Sequence, residues 1–214
     1  MRITTHTVGA FAENCHILLD EDSGAVAVVD PGAEGERLVA AVERSGGRPE
    51  AIWITHAHVD HVGGIAALRR RWDLPVRLHP DDEPLWRIVD RQAAAYGLPF
   101  ENPPADYVPV ADGERLELGT SSFTVMHTPG HAPGHCVFAG EGVVLAGDLL
   151  FAGSIGRTDL PFADPLRMQE SLLRIAALDE ALVVHAGHGP ATSIGAERRT
   201  NPFLNGAARL VARR

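Results

Sequence analysis

Thr55-His56-Ala57-His58-Val59-Asp60-His61 sets four metal-capable side chains within six residues, directly after an apolar run. Spacings of one and two do not fit a single helical face, where neighbours stand three or four apart. In an extended segment, residues two apart point the same way. His56, His58 and Asp60 are therefore expected to share one side, with His61 directed toward an adjacent site. That is a layout for two neighbouring metal ions. Imidazole suits zinc and iron, while carboxylate oxygens also admit iron or manganese.

Two ions need more ligands than this cluster supplies, and three later segments offer them. Thr128-Pro129-Gly130-His131 follows the apolar run Phe123–Val125, Gly147-Asp148 ends the run Val143–Leu145, and Gly187-His188-Gly189-Pro190 follows Leu182–Val184. Each joins a strand end to a ligand residue beside glycine, where backbone can approach a bound ion closely.

With these residues the chain resembles the metallo-β-lactamase superfamily, and within it the glyoxalase II (hydroxyacylglutathione hydrolase) branch, above all its short bacterial form. The resemblance runs from Asp30-Pro31-Gly32 through the H-x-H-x-D-H cluster to Asn201-Pro202-Phe203, and it is most specific at Gly147–Phe151 and Gly153–Asp159. It implies a four-layer αββα sandwich of class α/β. It also implies one metal on His56, His58 and His131 and a second on Asp60, His61 and His188, with Asp148 and a water or hydroxide bridging both. Zinc is the first expectation for both ions, with iron or manganese as alternatives. Asp60 and Asp148 are then the catalytic carboxylates, and Arg157 falls in the loop that contacts substrate. His135 and His185 are the histidines outside the set that lie nearest the ligand loops.

The implied reaction is hydrolysis of thioesters of the S-lactoylglutathione type. A thiolate leaves readily, since a free thiol has a pKa of about 8.5, so little general acid is required. A persulfide dioxygenase using one iron on His56, His131 and Asp148, or a lactonase using all seven ligands, is the alternative. A true β-lactamase is disfavoured, because such enzymes lack the bridging aspartate. Long glyoxalase II enzymes carry a helical extension that helps bind glutathione, whereas this chain ends soon after His188. Residues 193–214 instead hold Arg198, Arg199, Arg209, Arg213 and Arg214 against the single acid Glu197. Arginine grips carboxylates in a two-pronged fork, so Arg198 and Arg199 are expected to help hold the anionic substrate.

The 214 residues, 45% of them apolar, suit one globular domain spanning 1–214. A net charge of −9 argues against nucleic acid as a partner. No stretch is long and apolar enough for a membrane span. The first residues lack a signal-peptide core, so a cytoplasmic location is expected, as a monomer or homodimer with a small-molecule glutathione thioester as substrate. Cys15 and Cys136 sit at no ligand spacing and are expected to be free and buried. There is no lysine, so anion binding must fall to arginine.

The elements that must position these residues follow from periodicity and breakers. Strands are expected at Arg2–Val8, Cys15–Leu19, Ala25–Val29, Ala51–Thr55, Pro75–Leu78, Arg115–Leu118, Ser122–His127, His135–Ala139, Val143–Ala146 and Leu182–His185. Helices are expected at Glu34–Arg44, Ile65–Trp72, Pro84–Tyr96 and Pro165–Leu178, and one capped by Asn201 with Pro202 at its first position. Pro99, Pro103, Pro104 and Pro109 mark a stiff, extended loop.

Overall fold

Alternation within single strands builds the core. In β3 (Ala25–Val29), Val26 and Val28 join one apolar cluster, while Ala25, Ala27 and Val29 join another on the opposite face. A strand buried on both sides must lie inside a layered structure. The computed structural model, which describes residues 1–211, shows the layers directly.

One six-stranded sheet runs β1 (Arg2–Val8), β2 (Glu13–Leu19), β3, β4 (Arg48–Trp53), β5 (Val76–Leu78) and β6 (Val108–Pro109). Its first three strands are antiparallel, and β3 to β6 are parallel. The parallel steps are crossed by helices α1 (Gly35–Ser45), α2 (Val59–Val62), α3 (Ile65–Arg71), α4 (Glu83–Trp86) and α5 (Val89–Tyr96). The other sheet contains β7 (Arg115–Leu118), β8 (Ser121–His127), β9 (Cys136–Gly140) and β10 (Val143–Gly147). After a short hairpin of β11 (Leu150–Phe151) and β12 (Ser154–Ile155), helix α6 (Pro165–Ala176) leads to β13 (Val183–Ala186), β14 (Thr192–Ser193) and α7 (Ile194–Thr200). The order in this sheet is β14-β13-β10-β9-β8-β7.

Trp53 sits between the sheets, with Phe123 and Phe138 ring centroids 5.3 and 5.6 Å away. The outer face of the first sheet packs on Leu38, Val42, Ile65, Leu68 and Leu85 from its helices. The outer face of the second packs on Met168, Leu172, Ile175 and Ile194. The result is helix, sheet, sheet, helix. No helix among the described residues is long and apolar enough to cross a membrane.

Direction matters for the site. β8 and β10 are each antiparallel to β9, and β13 is parallel to β10. β8, β10 and β13 therefore run the same way, and their C-terminal ends share one edge of the sheet.

Two expectations need correction. The helix expected over Pro84–Tyr96 is two helices, broken at Ile88 (φ −118°, ψ 13°). The break lets α4 bury Leu85 and Trp86 while α5 turns toward α2, where Gln92 Oε1 accepts the Val59 N–H at 3.2 Å. Asn201 does not open a helix. It closes α7, which begins earlier because the Ser193 hydroxyl accepts the Ala196 N–H. The Asn201 amide is drawn instead to Ser154 O (2.9 Å) and the Glu197 carboxylate (2.8 Å), and the residues after Pro202 form turns. Arg213 and Arg214 lie outside the described residues.

Asp20, at the end of β2, ties the two sheets together. It accepts the backbone N–H and, at 2.9 Å, the hydroxyl of Thr120 in the β7–β8 turn, and the Ser23 hydroxyl at 2.7 Å. These donors, led by the Thr120 N–H, hold its carboxyl down to about 2, against about 3.9 for a free aspartate. Folding free energy from this charge is thus complete above about pH 4 and lost as pH falls toward 2. Asp20→Asn is expected to be less stable than wild type in denaturant titrations at pH 6, with the gap closing between pH 4 and 2. A gap independent of pH would show that the charge contributes nothing.

Candidate metal centre

The seven expected ligands all follow strand ends. His56 and His58 lie in the loop after β4, and Asp60 and His61 in α2, which follows it. His131 comes after β8, Asp148 directly after β10 and His188 after β13. The single extended segment expected for His56, His58 and Asp60 stops at His58, which is extended (φ −73°, ψ 150°) and precedes α2. The helical turn swings Asp60 and His61 to the second half of the site. It fits because Gly32 lies beneath it, where a Cβ would stand 1.7 Å from Asp60 O. Gly187 is needed in the same way, since a Cβ there would stand 2.4 Å from Asp148 Oδ1.

Hydrogen bonds fix which ring nitrogen faces the centre. His131 Nδ1 lies 2.8 Å from Arg157 O and His188 Nδ1 lies 3.1 Å from Phe11 O. A carbonyl only accepts, so both Nδ1 atoms carry the proton. His61 Nδ1 donates to Asp30 Oδ2 at 3.0 Å. Thr55 Oγ1 gives its own proton to Asp30 Oδ2 at 2.6 Å, so it accepts from His56 Nδ1 at 3.0 Å. Four Nε2 lone pairs are thereby aimed inward, and an outer partner that sets a ligand histidine's tautomer is the usual support of a metal site. His58 contributes Nδ1, 2.9 Å from His131 Nε2.

The inward atoms fit cations. His56 Nε2, His61 Nε2 and Asp148 Oδ1 are buried without a hydrogen-bond partner. Asp148 Oδ1 stands 3.4 Å from His61 Nε2, and its Oδ2 stands 3.5 Å from His131 Nε2 and 3.6 Å from His188 Nε2. His188 Nε2 is 3.4 Å from Asp60 Oδ2. Two ligands about 2.0–2.1 Å from one tetrahedral ion lie about 3.4 Å apart, so these separations would suit donors that share an ion. The donors form one buried set, His56, His58 and His131, and a more open set, Asp60, His61 and His188. Asp148 reaches both. Burial, reinforced by the neighbouring imidazoles, pushes His56 well below its usual pKa and lowers His58 to about 3, which keeps both neutral for ligation. Burial would raise Asp148, but the histidines around it, His61 first, hold its carboxyl well below the usual range.

Several supporting residues carry no motif of their own. Asp30, in Asp30-Pro31-Gly32, accepts from Thr55 N (2.7 Å), Thr55 Oγ1 and His61. Asp82 accepts from Ala57 N and Gly134 N, both at 2.6 Å, and so pins the loops carrying His56, His58 and His131. Burial raises the Asp82 carboxyl to about 6. His135 Nε2 accepts the Asp148 N–H at 3.1 Å, which makes it a support rather than a ligand. His185 packs edge-on against His16, ring centroids 5.4 Å apart.

The centre opens into a cleft of about 500 Å³ whose walls include Phe11, Leu85, Ile88, Tyr96, Phe151 and Leu160. Arg157 lines it, with its guanidinium donating to both oxygens of Asp159 at 2.7 and 2.8 Å. Arg198 and Arg199 do not line it; they are exposed on the last turn of α7. Arg91 on α5, which the motifs did not mark, does line it.

Asp30 has φ +50°, a conformation asparagine also tolerates, so Asp30→Asn alters the acceptor without forcing the backbone. An amide cannot accept from all three donors. Metal affinity in a chelator competition is expected to fall about 10–100-fold. Unchanged affinity would show that Asp30 does not orient His61.

Comparison with known proteins agrees with this geometry. The family model of the metallo-beta-lactamase superfamily matches residues 8–188. The chain is 37% identical to the hydroxyacylglutathione hydrolase GloC of Haemophilus influenzae, over 96% of this chain and 99% of that protein. Among solved structures, the di-iron-bound form of TTHA1623 is 45% identical with a TM-score of 0.88, covering 94% of this chain and all of that one. The BLEG-1 B3 metallo-beta-lactamase is 36% identical with a TM-score of 0.88, covering 96% of this chain and all of that one. Sheet order and layers have the same explanation: the chain belongs to the metallo-beta-lactamase superfamily and has its αββα fold.

Proposed function

We propose that this protein hydrolyses thioesters of the S-(2-hydroxyacyl)glutathione type, S-lactoylglutathione among them, at a centre of two divalent cations. The observation that carries this reading is Asp148, whose two oxygens face both donor sets. His56, His58 and His131 would hold one ion, Asp60, His61 and His188 the other, and Asp148 both. Bound ions supply an acidified water and Lewis-acid polarisation of a carbonyl.

The chain's own groups do the rest. Apart from the donors and two arginines, Tyr96 is the titratable residue in the cleft lining. Cys15 and Cys136 are fully buried, and burial pushes both thiols well up, so neither serves as a nucleophile. A cleft with water as nucleophile and no dedicated carboxylic acid suits a substrate whose leaving group needs no proton, as a thiolate does. The apolar walls exclude bulk water and accommodate an alkyl thioester. Burial would raise Asp60 and Asp148, but the imidazoles around them hold both carboxyls below their usual range, so both stay ionised. The match to GloC of Haemophilus influenzae, a hydroxyacylglutathione hydrolase, supports the acyl and thiol identities. The dioxygenase alternative would use His56, His131 and Asp148 and leave four oriented donors without a role.

Metal analysis of the loaded protein is expected to return two ions per chain. S-lactoylglutathione is expected to release thiol with no oxygen uptake. Asp148→Ala should lose one ion or both, and activity by about 10²-fold or more. One iron per chain, with glutathione persulfide driving oxygen consumption and thioesters untouched, would overturn the assignment.

A further inference from the structure

Two arginines line the cleft, in opposite states. The Arg157 guanidinium is held in a two-pronged pair by Asp159. Arg91, exposed on α5, has no carboxylate within ion-pair distance among the described residues. The cleft's own acids, Asp60 and Asp148, face the imidazoles of the centre instead. In a chain of net charge −9, a cation at the mouth of an apolar cleft without a protein counter-ion is a place for a ligand's charge.

The helix that carries Arg91 is clamped at both ends. Near its start, Gln92 accepts from Val59 N at 3.2 Å and donates to Leu85 O at 3.4 Å, which fixes α5 against the residue preceding Asp60. At its end, the Tyr96 ring stands edge-on to Phe11 of the β1–β2 turn, centroids 5.1 Å apart and planes at 82°. Both rings line the cleft, although Phe11 is 40% and Tyr96 54% exposed. Large apolar side chains left open at a cleft mouth mark a ligand surface. A charge on a helix held in this way is positioned before ligand arrives, which lowers the ordering cost of binding.

We propose that Arg91 is the specificity-determining residue of this cleft, binding a carboxylate on the thiol half of the substrate while Phe11 and Tyr96 pack on its stem. The inference rests on the thioester reading above and names the chemistry of the leaving thiol: an amphipathic anion whose carboxylate lies several bonds from sulfur. Arginine suits this task because its planar fork meets both carboxylate oxygens.

The test uses metal-loaded protein and a probe with no bond to hydrolyse, S-hexylglutathione, beside its dimethyl ester. Arg91→Gln is expected to weaken S-hexylglutathione about tenfold or more by calorimetry, the loss of a charge-assisted hydrogen bond, and to leave the diester unaffected. Arg91→Lys should recover part of the loss. KM for S-lactoylglutathione should rise by a similar factor. Equal affinity of wild type for acid and diester, no binding of S-hexylglutathione at all, or equal losses of both probes in Arg91→Gln would overturn the proposal. Arg91-dependent binding without thioester turnover would sink the hydrolase reading and leave the anion site standing. Turnover with no Arg91 dependence would do the reverse.

Discussion

Inward-facing imidazole nitrogens and the Asp148 carboxylate share one desolvated volume, and that crowding is the constraint around which the rest is arranged. Burying an unpartnered carboxylate or ring nitrogen is costly. Here His56 Nε2, His61 Nε2 and Asp148 Oδ1 are left without partners. The outer hydrogen bonds of His56, His61, His131 and His188 commit their Nδ1 protons outward and leave their Nε2 lone pairs for cations. Metal binding and folding are therefore coupled, because the fold is what brings these donors together.

Meeting the constraint shapes the surroundings at several levels. Three strands of one sheet run in the same direction, so His131, Asp148 and His188 arrive at one edge. The other sheet supplies the remaining donors from one loop and one helical turn. These can approach because Gly32 and Gly187 carry no side chain at the points of closest contact. Buried acceptors then lock the loops. Asp30 joins Thr55 and His61, and Asp82 joins residues 57 and 134 across the two sheets. Each of these carboxylates spends its acceptor capacity on groups that carry or flank ligands.

Much of this was legible in the sequence because ligation demands particular residue types. The H-x-H-x-D-H cluster shows itself by residue type, and periodicity marks the strand ends before His131, Asp148 and His188, whose ligand roles the family resemblance implies. The strands themselves read well because a strand buried on both faces is a short apolar run bounded by turns. Less legible was anything decided by tertiary approach. Val59–Val62 contains no helix signal, and it turns because Gly32 makes room and because Gln92 meets the Val59 N–H. Helix α7 begins with Ile194-Gly195, a poor helical opening rescued by the Ser193 cap. The basic composition after residue 193 pointed to an anion site, but charge has no direction in a sequence. Arg198 and Arg199 are not among the residues that line the cleft, while Arg91 looks like any other exposed helical arginine until the fold places it there.

That contrast separates two layers of the site. The donors sit on strand ends and buried loops, where displacement by a fraction of an ångström would break coordination, so they tolerate little change. The cleft walls come from α4, α5, the β1–β2 turn and the segment after β12, all surface elements. The two helices bury Leu85, Trp86, Val89 and Ala93 and leave Arg91 and Tyr96 exposed. The side chains of Arg91, Tyr96 and Phe11 are not themselves among the metal donors. Chemistry is thus fixed by the core and selectivity by the rim. A fold built this way can keep one hydrolytic centre while the identity of the leaving group is set by a few exposed residues.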